Sequence, residues 1–141
     1  MFLMDVNVLI ALADPFHVHH TAAIRWFSQH RADGWATCPL TENGFVRILG
    51  HPNYPEGPGS PLAARRLLQR QTAGPGHQFW PDTLSITDSA LFPELSASKH
   101  ITDLYLLALA VSRKARLATL DKRIDPAVIA GGPAAFHQIL D

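Results

Sequence analysis

The chain has one cysteine, Cys38, in 141 residues. A single thiol cannot build a disulfide framework or a multi-cysteine zinc site. In its Ala-Thr-Cys-Pro-Leu setting it reads as a small hydrophobe at a buried strand end. Net charge is lacking too, since twelve Lys and Arg balance twelve Asp and Glu. A module that held nucleic acid by overall charge would be basic. Any such contact must therefore come from a local patch, a partner, or a bound metal that supplies positive charge. No apolar run approaches the ~20 residues of a membrane span. The opening Met-Phe-Leu-Met-Asp has no basic region and no long apolar stretch, so it does not read as a signal peptide. The expectation is a soluble cytoplasmic protein that makes no membrane contact. Internal repeats and low-complexity segments are absent as well.

What the chain does have is enough apolar residue for one core. Hydrophobic residues make up 47% and charged residues 17%, which fits a single folded domain over residues 1–141. A short apolar strand spans Phe2 to Val6, and Asn7 can cap a helix from Val8 to Ala13. Asp14-Pro15 ends it. Residues 17–30 have the pattern of an amphipathic helix, with Ala22, Ala23, Trp26 and Phe27 on one side. Asp33-Gly34 turns the chain into a strand from Trp35 to Cys38, and Pro39 starts a helix continued by Val46, Ile48 and Leu49. The Pro- and Gly-dense stretch 51–61 must be a loop. Residues 62–72 form a helix with Leu67 and Leu68 inward and Arg65, Arg66 and Arg70 outward. One weak strand falls within 77–86, near Phe79-Trp80 or Leu84 to Ile86. Asp88 can cap a short helix toward Leu95. The clearest helix is 102–114, with Leu104, Leu107, Ala108 and Val111 on one stripe. Strands follow at Arg116 to Leu120 and near Ala134 to Gln138. Strands alternating with helices predict an α/β fold with a mainly parallel sheet.

Within this pattern four carboxylates occupy unusual positions: Asp5, Glu42, Asp103 and Asp121, each inside or at the edge of an apolar segment. Acidic side chains are rarely buried unless paired or bound to metal. Functional crevices of parallel sheets lie beyond the carboxyl ends of the strands. Asp5 ends the first strand and Asp121 follows a later one. Glu42 and Asp103 fall in the first turns of helices, so all four can reach one edge. Two carboxylates ~5 Å apart repel by roughly 3 kcal/mol at an effective dielectric of about 20. Several in one pocket would strain the fold or take up protons. A divalent cation removes the conflict, and all-oxygen ligands favour Mg²⁺ or Mn²⁺ over Zn²⁺. Such a metal activates water for attack on phosphorus. Each acid also has a plain structural reading. Asp5 could make an Asx turn, Glu42 and Asp103 could answer a helix dipole, and Asp121 could pair with Lys122 or Arg123.

Four segments in order carry a resemblance to a known family. They are Met-Asp-Val-Asn-Val-Leu-Ile-Ala-Leu, Thr-Glu-Asn-Gly-Phe-Val-Arg-Ile-Leu, Thr-Asp-Leu-Tyr-Leu-Leu-Ala-Leu-Ala and Ala-Thr-Leu-Asp-Lys-Arg. Together they resemble the PIN-domain ribonucleases, in particular the VapC toxins of bacterial VapBC toxin–antitoxin pairs. The likeness runs over nearly the whole chain. It implies a three-layer PIN-like α/β fold whose mainly parallel central sheet is flanked by helices. It also implies Mg²⁺- or Mn²⁺-dependent endonucleolytic cleavage of RNA, a homodimer, and inhibition by a cognate VapB-type antitoxin. By the same resemblance, Asp5 and Asp103 are the principal metal ligands and Asp121 completes the metal shell. Glu42 orients water or the metal, and Asn7 and Thr119 support the pocket. The loop 51–61 is left unexplained by the family pattern.

His17, His19 and His20 offer one i, i+3 pair on a helix face, between His17 and His20, and read as structural or solvated. Arg47, Lys122 and Arg123 adjoin the acids and rank first as RNA phosphate contacts, ahead of Arg25 and Arg113. Trp26, Trp35, Trp80 and Phe79 read as core. A phosphatase forming an aspartyl-phosphate needs Asp-x-Asp, whereas this chain has Asp5-Val-Asn7. A PIN-like module that binds RNA or protein without cutting is the alternative. It would be marked by loss of an acid, and all four are present.

Overall fold

Five short strands run parallel in one sheet: β1 (Phe2–Met4), β2 (Trp35–Thr37), β3 (His77–Phe79), β4 (Arg116–Thr119) and β5 (Phe136–Gln138). Their spatial order is β3-β2-β1-β4-β5. The computed structural model describes residues 1–95 and 97–140. The chain builds outward from β1 through β2 to β3, then returns to the other flank of β1 with β4 and β5. Strand order therefore reverses between β1 and β4, where open parallel sheets leave a crevice at their carboxyl ends.

Side chains alternate across the sheet with the period of two that a strand imposes. Leu3, Ala36 and Leu117 face one layer, which holds α5 (Ile101–Ser112) and α6 (Gly132–Ala135). Phe2, Met4, Trp35 and Ala118 face the other, which holds α1 (Val6–Ala13), α2 (His20–His30), α3 (Pro39–Leu49) and α4 (Pro61–Thr72). The result is the three-layer α/β architecture expected, with an all-parallel sheet between helices. No helix among the described residues is long and apolar enough to cross a membrane.

Several boundaries differ from the sequence reading, each for a local reason. The cap of α1 is Asp5 rather than Asn7. Asp5 has the extended backbone a cap needs, and its carboxylate accepts from Val6 N at 2.7 Å. Asn7 lies inside the helix. The second helix starts at His20, not at residue 17. Upstream, Asp14 takes Phe16 N on its carboxylate and His17 N on its carbonyl, so turn bonds displace helical ones. Asp88 likewise accepts from Ala90 N and Leu91 N and makes a turn, with no helix toward Leu95. The helix expected at 102–114 begins one residue early, after a 3-10 turn at Ser98–His100, and is buried on every face from Leu104 to Ala110. Its single stripe disappears because it sits in the middle of its layer. Phe79 is not core. It lies on the edge strand β3 and is 54% exposed, while Trp26, Trp35 and Trp80 are buried as expected. The last strand is shortened to Phe136–Gln138 because Pro133 opens α6 just before it.

The Pro/Gly loop acquires a structural part. Tyr54 Oη donates to Asp14 Oδ2 at 2.6 Å, which ties the loop to the end of α1. Cys38 is fully buried, and burial pushes its thiol up to about 11, so it is the inert hydrophobe its context implied.

One close approach positions the rest. Gly44 on α3 lets that helix meet α1, because a Cβ there would stand 2.8 Å from Val6 Cγ2. Val6 is β-branched and stiff in a helix, and it directly follows the capping Asp5. Gly44→Val should lower unfolding stability by about 2–3 kcal/mol, an overpacking cost, measured by urea denaturation. Adding Val6→Ala should recover part of that loss. Additive losses in the double variant would show that the two residues do not share this contact.

Candidate active site

The crevice at the reversal point is built first by Asp5. Its carboxylate is 4% exposed. Oδ1 takes the amide of Val6, and Oδ2 accepts from Thr119 Oγ1 at 2.6 Å, across from the end of β1 to the end of β4. Thr119 Oγ1 in turn accepts from Asn7 Nδ2 and from Asp121 N, at 3.3 and 3.0 Å. Asn7 Oδ1 accepts from Leu120 N at 3.2 Å. Asn7 and Thr119 thus lace α1 to β4 beneath the carboxylate, which is a physical form for the supporting part the resemblance implied. Burial pushes the Asp5 carboxyl up to about 6. The Thr119 hydroxyl opposes this, and the charges of Asp103 and Asp121 reinforce it.

Asp103 projects from the first turn of α5. Burial, then the charge of Asp121, raises its carboxyl to about 6 as well, with Arg123 acting the other way. Asp121 behaves differently. Arg123 grips it through Nε and Nη2 at 3.0 and 2.9 Å and through its own amide, and holds the carboxyl below the usual range. The electrostatics therefore couple Asp5, Asp103 and Asp121 in one field. The pairing of Asp121 with Arg123, one of the plain readings, is present alongside that coupling.

A pocket of about 470 Å³ contains Asp5, Asn7 and Asp103, with Leu40, Asn43, Gly44, Arg47 and Ile48 on one wall and His17 and Tyr54 on another. A second hollow, sharing Asn7 and His17 with it, is lined by Asp121, Lys122 and Arg123. All three proposed phosphate contacts thus border the acids. Glu42 is not brought into this pocket. Thr37 Oγ1 donates to Glu42 Oε2 at 2.6 Å and accepts from His77 Nε2 at 2.7 Å. Glu42 lines the neighbouring groove with Pro39, Arg65 and Phe79 instead. Helical spacing explains this placement. Residues 40, 43, 44, 47 and 48 share the pocket-facing side of α3, and Glu42 is about 100° round from Asn43.

Two side chains went unnoticed in the sequence. Asn43 lines both the acid pocket and the Glu42 groove. His100, on the turn before α5, places Nδ1 3.9 Å from Asp103 Oδ2. The i, i+3 spacing of His100 and Asp103 was the available signal. The histidines 17, 19 and 20 form no such set. His17 lies outside the helix and takes His19 N on its Nδ1, while His20 Nδ1 pairs with Ala11 O.

Among the described residues, no group of three His, Cys, Asp or Glu stands ready as a metal cage. Mg²⁺ does not require one, because one or two carboxylates, waters and substrate phosphate complete its shell. The donor set here is hard oxygen. The two raised carboxyls, Asp5 and Asp103, show uncompensated negative charge that a divalent cation would relieve. These residues fit such an ion.

Residues 2–128 match the family model described as PIN domain. The chain is 44% identical over 131 residues to Ribonuclease VapC44 of Mycobacterium tuberculosis, spanning 92% of each protein. It is 42% identical over 131 residues to Ribonuclease VapC39 of that organism, covering 92% of this chain and 94% of the relative. Ribonuclease VapC38 is 42% identical over 121 residues, covering 86% and 85%. The fold, the carboxylates at the strand-order reversal and these matches define one class: the chain belongs to the PIN-domain family, among its VapC ribonucleases.

The raised Asp5 carboxyl has a stability consequence. An acid whose folded value is about 6, above an unfolded value of 3.8, loses stability as pH rises from about 4 to about 6. The full cost stands at neutral pH, roughly 3 kcal/mol. Asp5→Asn keeps a capping side chain and removes that charge, but leaves Thr119 without its anionic acceptor, at about 1 kcal/mol. The metal-free variant should melt at or above the wild-type temperature at pH 7.5, with the gap closing at pH 4. A drop of more than about 5 °C at pH 7.5 would mark Asp5 as structural.

Proposed function

We propose that the protein is a Mg²⁺- or Mn²⁺-dependent endoribonuclease, the toxin of a type II toxin–antitoxin pair. The observation that carries this is one pocket holding two carboxylates, Asp5 and Asp103, both pushed up chiefly by burial, with the charge of Asp103 adding at Asp5 and that of Asp121 adding at Asp103. Family membership and the names of the relatives support the reading. Asp5 and Asp103 would hold the ion. Asp121 would join its shell by loosening its hold on Arg123, and Glu42, bonded to Thr37 through Oε2, has Oε1 left to help orient water. A bound ion would supply an activated water and stabilise charge developing on phosphorus.

The chain's own residues do the rest. Thr119 and the Val6 amide fix both oxygens of Asp5, so its orientation does not depend on the ligand. Arg47, Lys122 and Arg123, all exposed around the pocket, can take backbone phosphates of RNA. They act locally, as a chain of zero formal charge demands. A homodimer and a VapB-type antitoxin that blocks the site belong to the same proposal, and they rest on the family likeness.

Purified protein incubated with total bacterial RNA should give discrete fragments in Mg²⁺ or Mn²⁺ and none in EDTA. Asp5→Asn or Asp103→Asn should reduce cleavage by at least about 100-fold with the fold intact, as seen by circular dichroism. Activity should rise with pH through about 6, since Asp5 and Asp103 must ionise to hold a cation. Undiminished cleavage by either variant would refute the site. No cleavage by well-folded, antitoxin-free protein would favour a module that binds without cutting.

A further inference from the structure

His100 carries an unexplained atom. Its Nδ1 is buried and has no hydrogen-bond partner. Such orphans are uncommon in folded proteins. The ring is not remote from polar groups, because Asp103 Oδ2 stands 3.9 Å from that nitrogen. That is too far for an N–H···O bond, which needs about 2.7–3.2 Å. It is not too far for two donors sharing an ion. Ligands each about 2.1 Å from one cation lie no more than about 4.2 Å apart. The 3-10 turn Ser98–His100 and the first turn of α5 hold both side chains on one short stretch of backbone. Their spacing is thus set by local geometry and not by a mobile loop. The side chains are similarly buried, at 18% and 19% exposure.

We propose that His100 Nδ1 is a ligand of the same divalent ion as Asp103, which makes the centre a mixed nitrogen–oxygen site. This rests on the metal-dependent reading above and deepens it. Imidazole suits transition metals, whereas Mg²⁺ prefers oxygen throughout. A nitrogen at this position therefore tilts the centre toward Mn²⁺. Direct ligation requires the neutral tautomer with the proton on Nε2, leaving the Nδ1 lone pair for the ion.

The test uses the full chain loaded with Mn²⁺ and needs no RNA. Electron spin-echo envelope modulation of bound Mn²⁺ should show coupling to one ¹⁴N, lost in His100→Ala. By calorimetry, Mn²⁺ affinity should fall roughly tenfold in His100→Ala, and Mg²⁺ affinity by less than about threefold. Circular dichroism and melting temperature report whether the variant folds, and His100→Gln serves as the milder change should it not. If His100 were only a cationic neighbour of Asp103, its removal would tighten binding of both metals and no ¹⁴N coupling would appear. That result overturns the assignment while leaving the metal site standing. Failure of wild-type protein to bind Mn²⁺ at all would overturn both this assignment and the metal-dependent reading.

Discussion

The burial of one carboxylate between two strand ends is the constraint on which the rest depends. Asp5 closes β1, caps α1 and accepts the hydroxyl of Thr119 at the end of β4. Its amide also donates to Ala118 O. Strand pairing, helix start and site geometry are therefore joined in a single residue. Because β1 and β4 are the neighbours at which strand order reverses, this residue is carried to the mouth of the crevice without help from any loop. Precision at the site is inherited from the sheet, the most rigid part of such a fold.

The acids around the pocket divide by how their charge is met. Asp121 is paired with the guanidinium of Arg123, and Glu42 accepts the hydroxyl of Thr37. Among the described residues, Asp5 accepts from the Val6 amide and the Thr119 hydroxyl, and Asp103 has His100 beyond hydrogen-bonding distance and feels Arg123 only through its charge. Asp5 and Asp103, the two that share a pocket, are the two whose carboxyls burial pushes up, each to about 6. A fold could bury neutral side chains there at lower cost. Keeping carboxylates at a site where both are pushed toward protonation is how binding sites commonly trade stability for affinity.

Much of this was legible in the sequence, and the failures have physical causes. The parallel sheet, the flanking helices and the crevice could be read because strand and helix periods alternate, and because acids interrupting apolar segments stand out. Asp5, Asp103 and Asp121 fall together in the structure as read. The cap of α1 was misplaced because Asp5 and Asn7 both have cap chemistry, and only the backbone turn after Met4 decides between them. Glu42 lines the groove next to the acid pocket and not the pocket itself, since one residue along a helix changes direction by about 100°. The sequence does not reveal that Phe79 is exposed, because an edge strand and a central strand look alike in so short a segment. His100 was passed over because its importance lies in a distance to Asp103, not in any pattern of apolar residues.

The balance of charge ties these points to the proposed substrate. A pocket lined by ionised carboxylates repels phosphate, and a chain with no net charge offers no general attraction to offset this. Arg47, Lys122 and Arg123 surround the pocket but do not occupy the position between Asp5 and Asp103. A divalent ion there changes the local sign from negative toward positive. Under the proposed reaction, then, metal and RNA do not bind independently. A bound ion would make room for a phosphate oxygen, and the phosphate would supply a ligand that the protein leaves out. Linkage requires the two effects to be equal, so whatever affinity the ion adds for RNA, RNA adds for the ion. A site with few protein ligands and strained carboxylates is the arrangement in which that mutual dependence is greatest. Such a centre would stay weakly loaded until the substrate arrives.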